Sequence, residues 1–276
     1  MDKKDFLWLH IRELPYFRSI TRSVEAEFYQ DIDLPAPVLD VGCGDGHFAS
    51  VTFNNPLDVG LDPWHLPLRE AVGRKSYRLV IQADGENMPF SDGYFASAIS
   101  NSVLEHIPHV EAVLAEISRV LKPGAPFIFC VPNPGHFTEL SIPAFIKRVR
   151  LPKAAHAYTE WFRRITHTEH ADMPEAWEAR LERVGLHLER WWHYLSPRTW
   201  HVVEWGHYFG VPSLFIKKIF GRWVLVPTRW NLAITKRLIK PFAQAAPVAD
   251  GVFTFFITRK PGGAGEGKGG LQAIPG

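Results

Sequence analysis

The chain has 276 residues, 46% of them hydrophobic, so it can bury a sizeable core as one large domain or two small ones, which argues against a disordered or fibrous protein. Its two cysteines, Cys43 and Cys130, are too few for a disulfide-stapled secreted fold, and its net charge of +2 argues against wholesale nucleic-acid binding. The amino-terminal apolar run contains charges, unlike a signal peptide, and no uncharged stretch is long enough to cross a bilayer. We therefore expect a cytoplasmic protein.

The first 36 residues are predicted to be helical. Apolar residues at helical spacing indicate a helix over residues 5–30 that is broken near Pro15. We expect residues 1–36 to form a helical lid.

From Pro37 onward, short apolar runs alternate with amphipathic stretches. The predicted strands are 38–41, 57–61, 79–83, 95–100 and 127–131. The predicted helices between them are 46–53, 66–73 and 109–121. Strands that alternate with helices imply a parallel sheet with helices on both faces.

This alternation ends after Val131. A helix is predicted over 174–184 and strands over 186–195 and 252–258. We expect the segments 132–172 and 196–250 to be insertions that cover the substrate side. The glycine-rich residues 261–276 are predicted to be a disordered tail.

The charges are unevenly distributed along the chain. Residues 205–249 contain seven basic and no acidic residues; since the whole chain carries +2 and this stretch +7, the rest carries −5. Predicted helices near 214–223 and 229–240 combine these basic residues with apolar and tryptophan side chains. Such helices are typical of contact with an anionic membrane, but a solvated basic face whose apolar side packs on the sheet is the simpler alternative.

The first predicted strand runs directly into a glycine-rich turn at residues 42–46, and a helix follows. Glycines let a ligand approach the backbone closely, and the helix N-terminus offers free N–H groups. Asp62 ends the next predicted strand, where an acidic side chain can bond ribose hydroxyls. A nicotinamide-binding Gly-x-Gly-x-x-Gly motif requires a glycine where this chain has His47.

With Asp40 inside the strand, the pattern becomes Asp-x-Gly-x-Gly-x-Gly, which resembles the class I S-adenosylmethionine-dependent methyltransferases, in particular their type 11 small-molecule group. Segments 82–90, 100–107 and 121–125 resemble three further motifs of that family, and the resemblance weakens beyond Pro132. It implies a class I methyltransferase domain over 37–260. The expected fold is an α/β, Rossmann-like, doubly wound sheet of seven mostly parallel strands, with N-terminal helices and a helical insertion before an antiparallel last strand.

The resemblance also implies the cofactor, S-adenosyl-L-methionine, and its contacts. The glycines of the turn would give room to the methionine moiety, Asp62 would hold the ribose, and Asp84 with Gly85 would hold the adenine. A capping or turn role is the alternative for Asp40 and Asp84. The residues expected to contact the cofactor are Asp40, Gly42, Cys43, Gly44, Asp62, Asp84, Gly85 and Asn101.

An acceptor with a hydroxyl nucleophile also needs a general base. His106 is the first candidate, because its segment is expected to face the methyl group; Glu105 and His136 are weaker candidates. A histidine that packs under the loop is an equally good interpretation of His106.

A second cluster of polar residues, at 167–172, invites a metal interpretation. His167, Glu169 and His170 precede Asp172 at a spacing that, together with the preceding His156, zinc can use. The chain has no His-Glu-x-x-His motif and no cysteine pair, so we expect no metal site and interpret the segment as a polar loop near the substrate.

The predicted function is transfer of a methyl group from S-adenosylmethionine to an O or C nucleophile of a small-molecule or lipid-like acceptor, by direct in-line displacement. Residues 214–240 are a candidate for peripheral contact with an anionic membrane, at the inner membrane surface. Nucleic acid is not expected, because residues 100–103 lack the Pro-Pro-aromatic signature of base-amino methylases. A nicotinamide-dependent reductase and a non-catalytic cofactor-binding protein are the alternatives.

Overall fold

The apolar runs of the sequence become seven strands of one sheet in the computed structural model, which describes residues 4–262. The predicted tail, 261–276, therefore lies outside the described residues except for its first two positions. The strands are β1 (Val38–Val41), β2 (Leu57–Asp62), β3 (Tyr77–Gln82), β4 (Ser97–Asn101), β5 (Pro126–Pro132), β6 (His187–Tyr194) and β7 (Phe253–Arg259). Their order in the sheet is β3-β2-β1-β4-β5-β7-β6.

The first five strands are parallel, and β7 pairs antiparallel with both β5 and β6. This arrangement confirms the predicted doubly wound, mostly parallel sheet with an antiparallel last strand. The chain reverses its direction of winding between β1 and β4, so the loops after these strands diverge and leave a crevice at the carboxyl edge of the sheet.

Helices cover both faces of this sheet and extend beyond its carboxyl edge. They are α1 (Phe6–Ile11), α2 (Tyr16–Phe28), α3 (His47–Thr52), α4 (His65–Arg74), α5 (Val110–Val120), α6 (Gly135–Thr138), α7 (Ser141–Arg148), α8 (Pro152–Thr166), α9 (Pro174–Arg183), α10 (Pro197–Phe209), α11 (Val211–Phe220) and α12 (Arg229–Ile239). Within residues 4–262, none of these helices has the length and apolar character needed to traverse a bilayer.

The core has two parts, one on each face of the sheet. On one face, α5 and α9 bury an apolar stripe that includes Ile117 and Trp177. On the other face, α1 to α4 bury residues such as Ile20, Val24 and Leu68. The apolar residues at helical spacing in the sequence thus form the helix faces that pack on the sheet.

The segment 132–172 contains three helices, α6 to α8, and so is more regular than its irregular pattern indicated. It packs against α10 through Glu204, a fully buried carboxylate. Glu204 accepts hydrogen bonds from the backbone N–H groups of Ser141 (2.7 Å) and Ile142 (3.2 Å) and from the Tyr158 hydroxyl (3.0 Å). Since α10 also packs on α2, and α12 on α1 and α2, both insertions and the N-terminal helices form one continuous layer.

A second buried carboxylate, Glu25, joins this helical layer to the sheet. Its oxygens accept hydrogen bonds from Arg22 (2.7 Å), Asn101 Nδ2 (2.7 Å), Ser102 (3.1 Å) and the Tyr194 hydroxyl (2.9 Å). These donors lie on α2 itself, at the end of β4, just after β4 and at the end of β6. One side chain thus fixes α2 against two strands at the carboxyl edge.

We expect Glu25→Ala to lower the free energy of unfolding by about 3–5 kcal/mol, because it leaves the Arg22 charge and three further buried donors without their acceptor. Glu70→Ala is the matched control, because Glu70 lies on α4 and only pairs with Lys217 at the surface. It should cost at most about 1 kcal/mol. The loss of stability in each variant is measured from the shift of its urea unfolding midpoint, with the m-value unchanged. Equal effects of the two substitutions would contradict this role of Glu25.

Candidate active site

A cleft of about 820 Å³ lies at the carboxyl edge of the sheet, where the loops after β1 and β4 diverge. All the residues that the sequence predicted for the cofactor line it: Asp40, Gly42, Cys43, Gly44, Asp62, Asp84, Gly85 and Asn101. The parallel strands explain this convergence, since their carboxyl ends meet at one edge.

The turn after β1 is held in a conformation that only glycine adopts freely. Gly42 and Gly44 have φ values of 78° and 54°. The Gly42 N–H donates to the Leu61 carbonyl (2.8 Å), and the Gly44 N–H donates to Asp62 Oδ2 (3.0 Å). A Cβ added at Gly44 would meet no atom within 4 Å and would project into open space. The backbone there is therefore open to a ligand.

Two buried carboxylates lie beneath this turn. Asp62 accepts hydrogen bonds from the N–H groups of Gly44 and Trp64 (2.9 Å), and burial raises its pKa. Burial also raises the pKa of Asp40 to about 7, although the hydrogen bond from the Tyr77 hydroxyl (2.7 Å) opposes this shift. Asp40 thus supports the turn as a buried partner of Tyr77.

The other residues predicted to contact the cofactor differ in how accessible their side chains are. Asp84 is exposed, and its Oδ1 accepts a hydrogen bond from the Glu86 N–H (3.0 Å). Asn101 lines the cleft, but its amide already donates to Glu25 and accepts from Cys130 (3.2 Å). Burial raises the pKa of the Cys43 thiol, so Cys43 is a small, inert loop residue.

These residues fit S-adenosylmethionine. Carboxylates at Asp62 and Asp84 can accept hydrogen bonds from hydroxyl and amino groups, and the open backbone at Gly44 leaves room for a bulky ligand. The acidic side chains also suit a ligand that carries a positive charge.

A smaller chamber of about 250 Å³ adjoins the cleft. Arg18, Arg22, Ser102 and His106 line both cavities, so they mark the junction between them. Beyond the junction, the chamber walls combine apolar and polar residues in equal number. The apolar and aromatic ones include Phe17, Ile165, Trp200, Val203 and Phe253.

His106, the predicted base, lies at this junction with 45% of its side chain exposed. Its Nδ1 is 2.8 Å from the His167 carbonyl oxygen. Because a carbonyl only accepts, Nδ1 carries the proton and Nε2 has the free lone pair. Nε2 lies 3.8 Å from Glu105 Oε1, so a carboxylate stands beside the position where a proton would arrive.

The weaker candidates, Glu105 and His136, line the chamber and not the cleft. Both are buried, and Glu105 Oε2 and both ring nitrogens of His136 have no hydrogen-bond partner among the described residues. Burial raises the pKa of Glu105 to about 7 and lowers the pKa of His136 to about 3. His136 is thus neutral at physiological pH, and these unpartnered atoms are buried behind the chamber wall.

The polar segment 167–172 packs beside these residues through its backbone. The N–H groups of Glu169 (2.8 Å) and His170 (3.1 Å) donate to the Glu105 carbonyl, while the His167 carbonyl orients His106. In the part of the chain that the structure describes, no three His, Cys, Asp or Glu side chains are grouped as a metal site would require.

Sequence reasoning missed Arg18 and Arg22, which face the junction from α2, and Glu25, which holds Arg22 in place. These residues are spaced at i, i+4 and i+7, so they form a polar stripe on one side of α2. This polar stripe, next to the apolar stripe of the same helix, is the sequence signal that could have revealed these three residues.

Comparisons with known proteins agree with this geometry. A family model described as "Methyltransferase domain" matches residues 39–129. Malonyl-[acyl-carrier protein] O-methyltransferase of Geobacter sulfurreducens is 32% identical over 129 residues, which are 45% of this chain and 48% of that protein. The chain thus matches less than half the length of this relative.

Solved structures show the same fold. A SAM-dependent methyltransferase of Thermotoga maritima superimposes with a TM-score of 0.53 at 13% identity, covering 88% of this chain and 90% of that one. The [4+2]-cyclase SpnF gives a TM-score of 0.55 at 16% identity, covering 89% and 82%. The fold alone therefore does not decide the reaction, but the matched segment identifies residues 39–129 as a methyltransferase domain, within a fold shared with an S-adenosylmethionine-dependent methyltransferase.

Proposed function

We propose that this protein transfers a methyl group from S-adenosylmethionine to a small-molecule acceptor that binds in the chamber next to the cofactor cleft. One observation carries the proposal: the cleft lined by all the predicted cofactor contacts shares a junction with a second cavity, and the candidate base His106 lies at that junction. A nicotinamide reductase is not supported, because the matched family is a methyltransferase domain. The second cavity and the open Nε2 of His106 also favour an enzyme over a non-catalytic binding protein.

The chain's own residues would hold the two reactants. Asp62 would bind the ribose, Asp84 and Gly85 the adenine, and the turn at Gly42 and Gly44 the methionine moiety. The bound cofactor supplies an activated methyl group, so the protein has to align the nucleophile and exclude water. The N-terminal helices (1–36) and the insertions (132–172 and 196–250) would serve as the cover that excludes it.

His106 would act as the general base for a hydroxyl acceptor. Its Nδ1 proton is fixed by the His167 carbonyl, which leaves Nε2 to take the acceptor's proton. The resulting imidazolium would be stabilised by Glu105, whose nearest oxygen is 3.8 Å away.

We further propose that the basic helices α11 and α12 rest on an anionic membrane surface and bring a lipid-like acceptor to the chamber. On α12, Leu232 and Ile239 are buried, whereas Trp230 (75% exposed), Ile234 (74%) and Leu238 (67%) form an outward stripe at i, i+4, i+8. Packing on the protein interior therefore accounts for only part of the apolar surface of α12.

The charges around this stripe complement an anionic surface. Four cations form no ion pair or hydrogen bond with any residue in 4–262: Lys218, Arg222, Arg237 and Lys240. Basic residues near such a surface contribute about 1 kcal/mol each, and exposed aromatic and aliphatic side chains add to this by burial in the interface. Since α11 follows α10, which lines the chamber through Trp200 and Val203, a membrane bound here would lie close to the acceptor site.

Cofactor binding is tested by Gly44→Ala. The added Cβ would enter the cleft, and we expect the affinity for S-adenosylmethionine in calorimetry to fall about 10-fold to 100-fold. Gly185→Ala is the matched control, because Gly185 also has a positive φ (75°) with no atom within 4 Å, but lies outside the cleft. Both variants should lose about 1 kcal/mol of stability from the left-handed backbone. An unchanged affinity in Gly44→Ala would rule out this binding mode.

Catalysis is tested by His106→Gln. Methyl transfer is measured as the S-adenosylhomocysteine formed from S-adenosylmethionine in the presence of each of a panel of hydroxyl acceptors. It should fall roughly 100-fold to 10,000-fold, while the cofactor still binds. The control is His109→Gln, since His109 is exposed and lines neither cavity. Full turnover by His106→Gln with bound cofactor would show that His106 is not the base.

Membrane contact is tested by cosedimentation with phosphatidylserine-containing vesicles at low salt. The wild-type protein should bind these vesicles and not neutral ones. The double variant Trp230→Ser, Ile234→Ser should bind at least about tenfold more weakly, because it lacks two exposed apolar side chains that the wild type would bury in the membrane. Tyr94→Ser removes an exposed aromatic residue elsewhere and should have no effect. Absence of wild-type binding to the anionic vesicles would disprove the membrane proposal.

A further inference from the structure

The charges at the junction between the two cavities are not balanced. Arg22 is neutralised by Glu25, which lies 2.7 Å away. Arg18, one turn earlier on α2, makes no hydrogen bond or ion pair with any residue that the structure describes, although it lines both the cleft and the chamber. Asp45 attracts Arg18 only at longer range. A guanidinium without a direct carboxylate contact, at the entrance to a cavity, favours an anionic oxygen over a cationic amine.

At the junction, different residues would take the proton of the acceptor and bind the negative charge left on it. Nε2 of His106 has a free lone pair, because Nδ1 donates to the His167 carbonyl. A proton would therefore go to His106, while the charge left on the acceptor would face Arg18. A carboxylate acceptor has no proton to give to His106, whereas an acidic hydroxyl uses both residues.

The chamber beyond the junction suits a flat ring. Phe17, Trp200 and Phe253 contribute aromatic walls, and the volume of about 250 Å³ gives room for a single substituted ring.

We propose that the acceptor is an acidic ring hydroxyl of the phenol or enol type, and that Arg18 binds its oxyanion. This proposal rests on the proposed methyltransferase function and names the substrate class of the same site. The hydroxyl proton passes to His106 Nε2, and the oxygen lone pair forms the new O–CH₃ bond. The S–CH₃ bond breaks with its electron pair left on sulfur, which gives a methyl ether and S-adenosylhomocysteine.

Other titratable groups face the same chamber. Glu105, His136, His207 and Arg22 line it together with Arg18 and His106. Burial lowers the pKa of His136 and His207, which favours their neutral forms, and raises the pKa of Glu105 to about 7, so that Glu105 is partly ionised near pH 7. On the cleft side, Asp45 attracts Arg18 electrostatically but makes no hydrogen bond or ion pair with it among the described residues.

The test uses 4-nitrophenol as the probe, with the full-length protein saturated with S-adenosylhomocysteine. The absorbance of the phenolate reports the ionisation of the bound probe directly. In a pH titration, we expect the pKa of bound 4-nitrophenol to lie about one to three units below its value in free solution, because of the Arg18 charge. Arg18→Gln should abolish this shift, and Arg18→Lys should retain most of it.

Two controls isolate the charge effect. Arg12→Gln removes an exposed arginine that lines neither cavity and should keep the full shift. The non-ionising analogue 4-nitrobenzyl alcohol should bind the wild type and Arg18→Gln with equal affinity. An unshifted pKa of the bound probe, a shift that survives in Arg18→Gln, or no binding of the probe would each overturn the proposal. Failure to bind S-adenosylhomocysteine, measured by calorimetry on the same samples, would instead overturn the proposed function.

Discussion

The arrangement of the site depends on one buried carboxylate, Glu25. A charge without water costs several kcal/mol unless hydrogen bonds and an opposite charge replace the lost hydration, and here four donors do so. Because these donors come from α2, the end of β4, the residue after β4 and the end of β6, Glu25 has its full set of partners only when these elements meet. The same contact fixes Arg22 at the junction and orients α2 so that Arg18 also lines both cavities.

Most of the sheet and of the cofactor cleft could be predicted from the sequence. Strands buried on both faces are short apolar runs, so β1 and β5 were visible as such, and the glycine turn after β1 has a conformation that requires its glycines. The convergence of distant residues such as Asp62 and Asp84 follows from one rule, that parallel strands end at a common edge. Local chemistry and topology therefore point to the same edge of the sheet.

The junction was hidden because its determinants are long-range. Arg18, Arg22 and Glu25 look like the solvated side of an amphipathic helix. Glu25 is buried only by contacts with residues 76 to 169 positions away, Asn101, Ser102 and Tyr194. The 167–170 segment acts through backbone atoms, which no side-chain pattern encodes. The helices of 132–172 were also missed. α8 is amphipathic, but it buries only Ala155 and Phe162 of its fifteen residues.

The near-neutral net charge of the chain hides a difference in charge around the two cavities. Carboxylates line the cofactor cleft, whereas the cations Arg18 and Arg22 lie at its junction with the acceptor chamber. When a cationic methyl donor reacts with an anionic oxygen, both charges disappear, so the transition state needs less solvation than the reactants. A junction that places a fixed side chain next to each charge replaces part of the hydration that the reactants lose. Arg18 suits this role because its guanidinium has no direct carboxylate contact and only a longer-range attraction to Asp45, so binding an oxyanion breaks no existing ion pair.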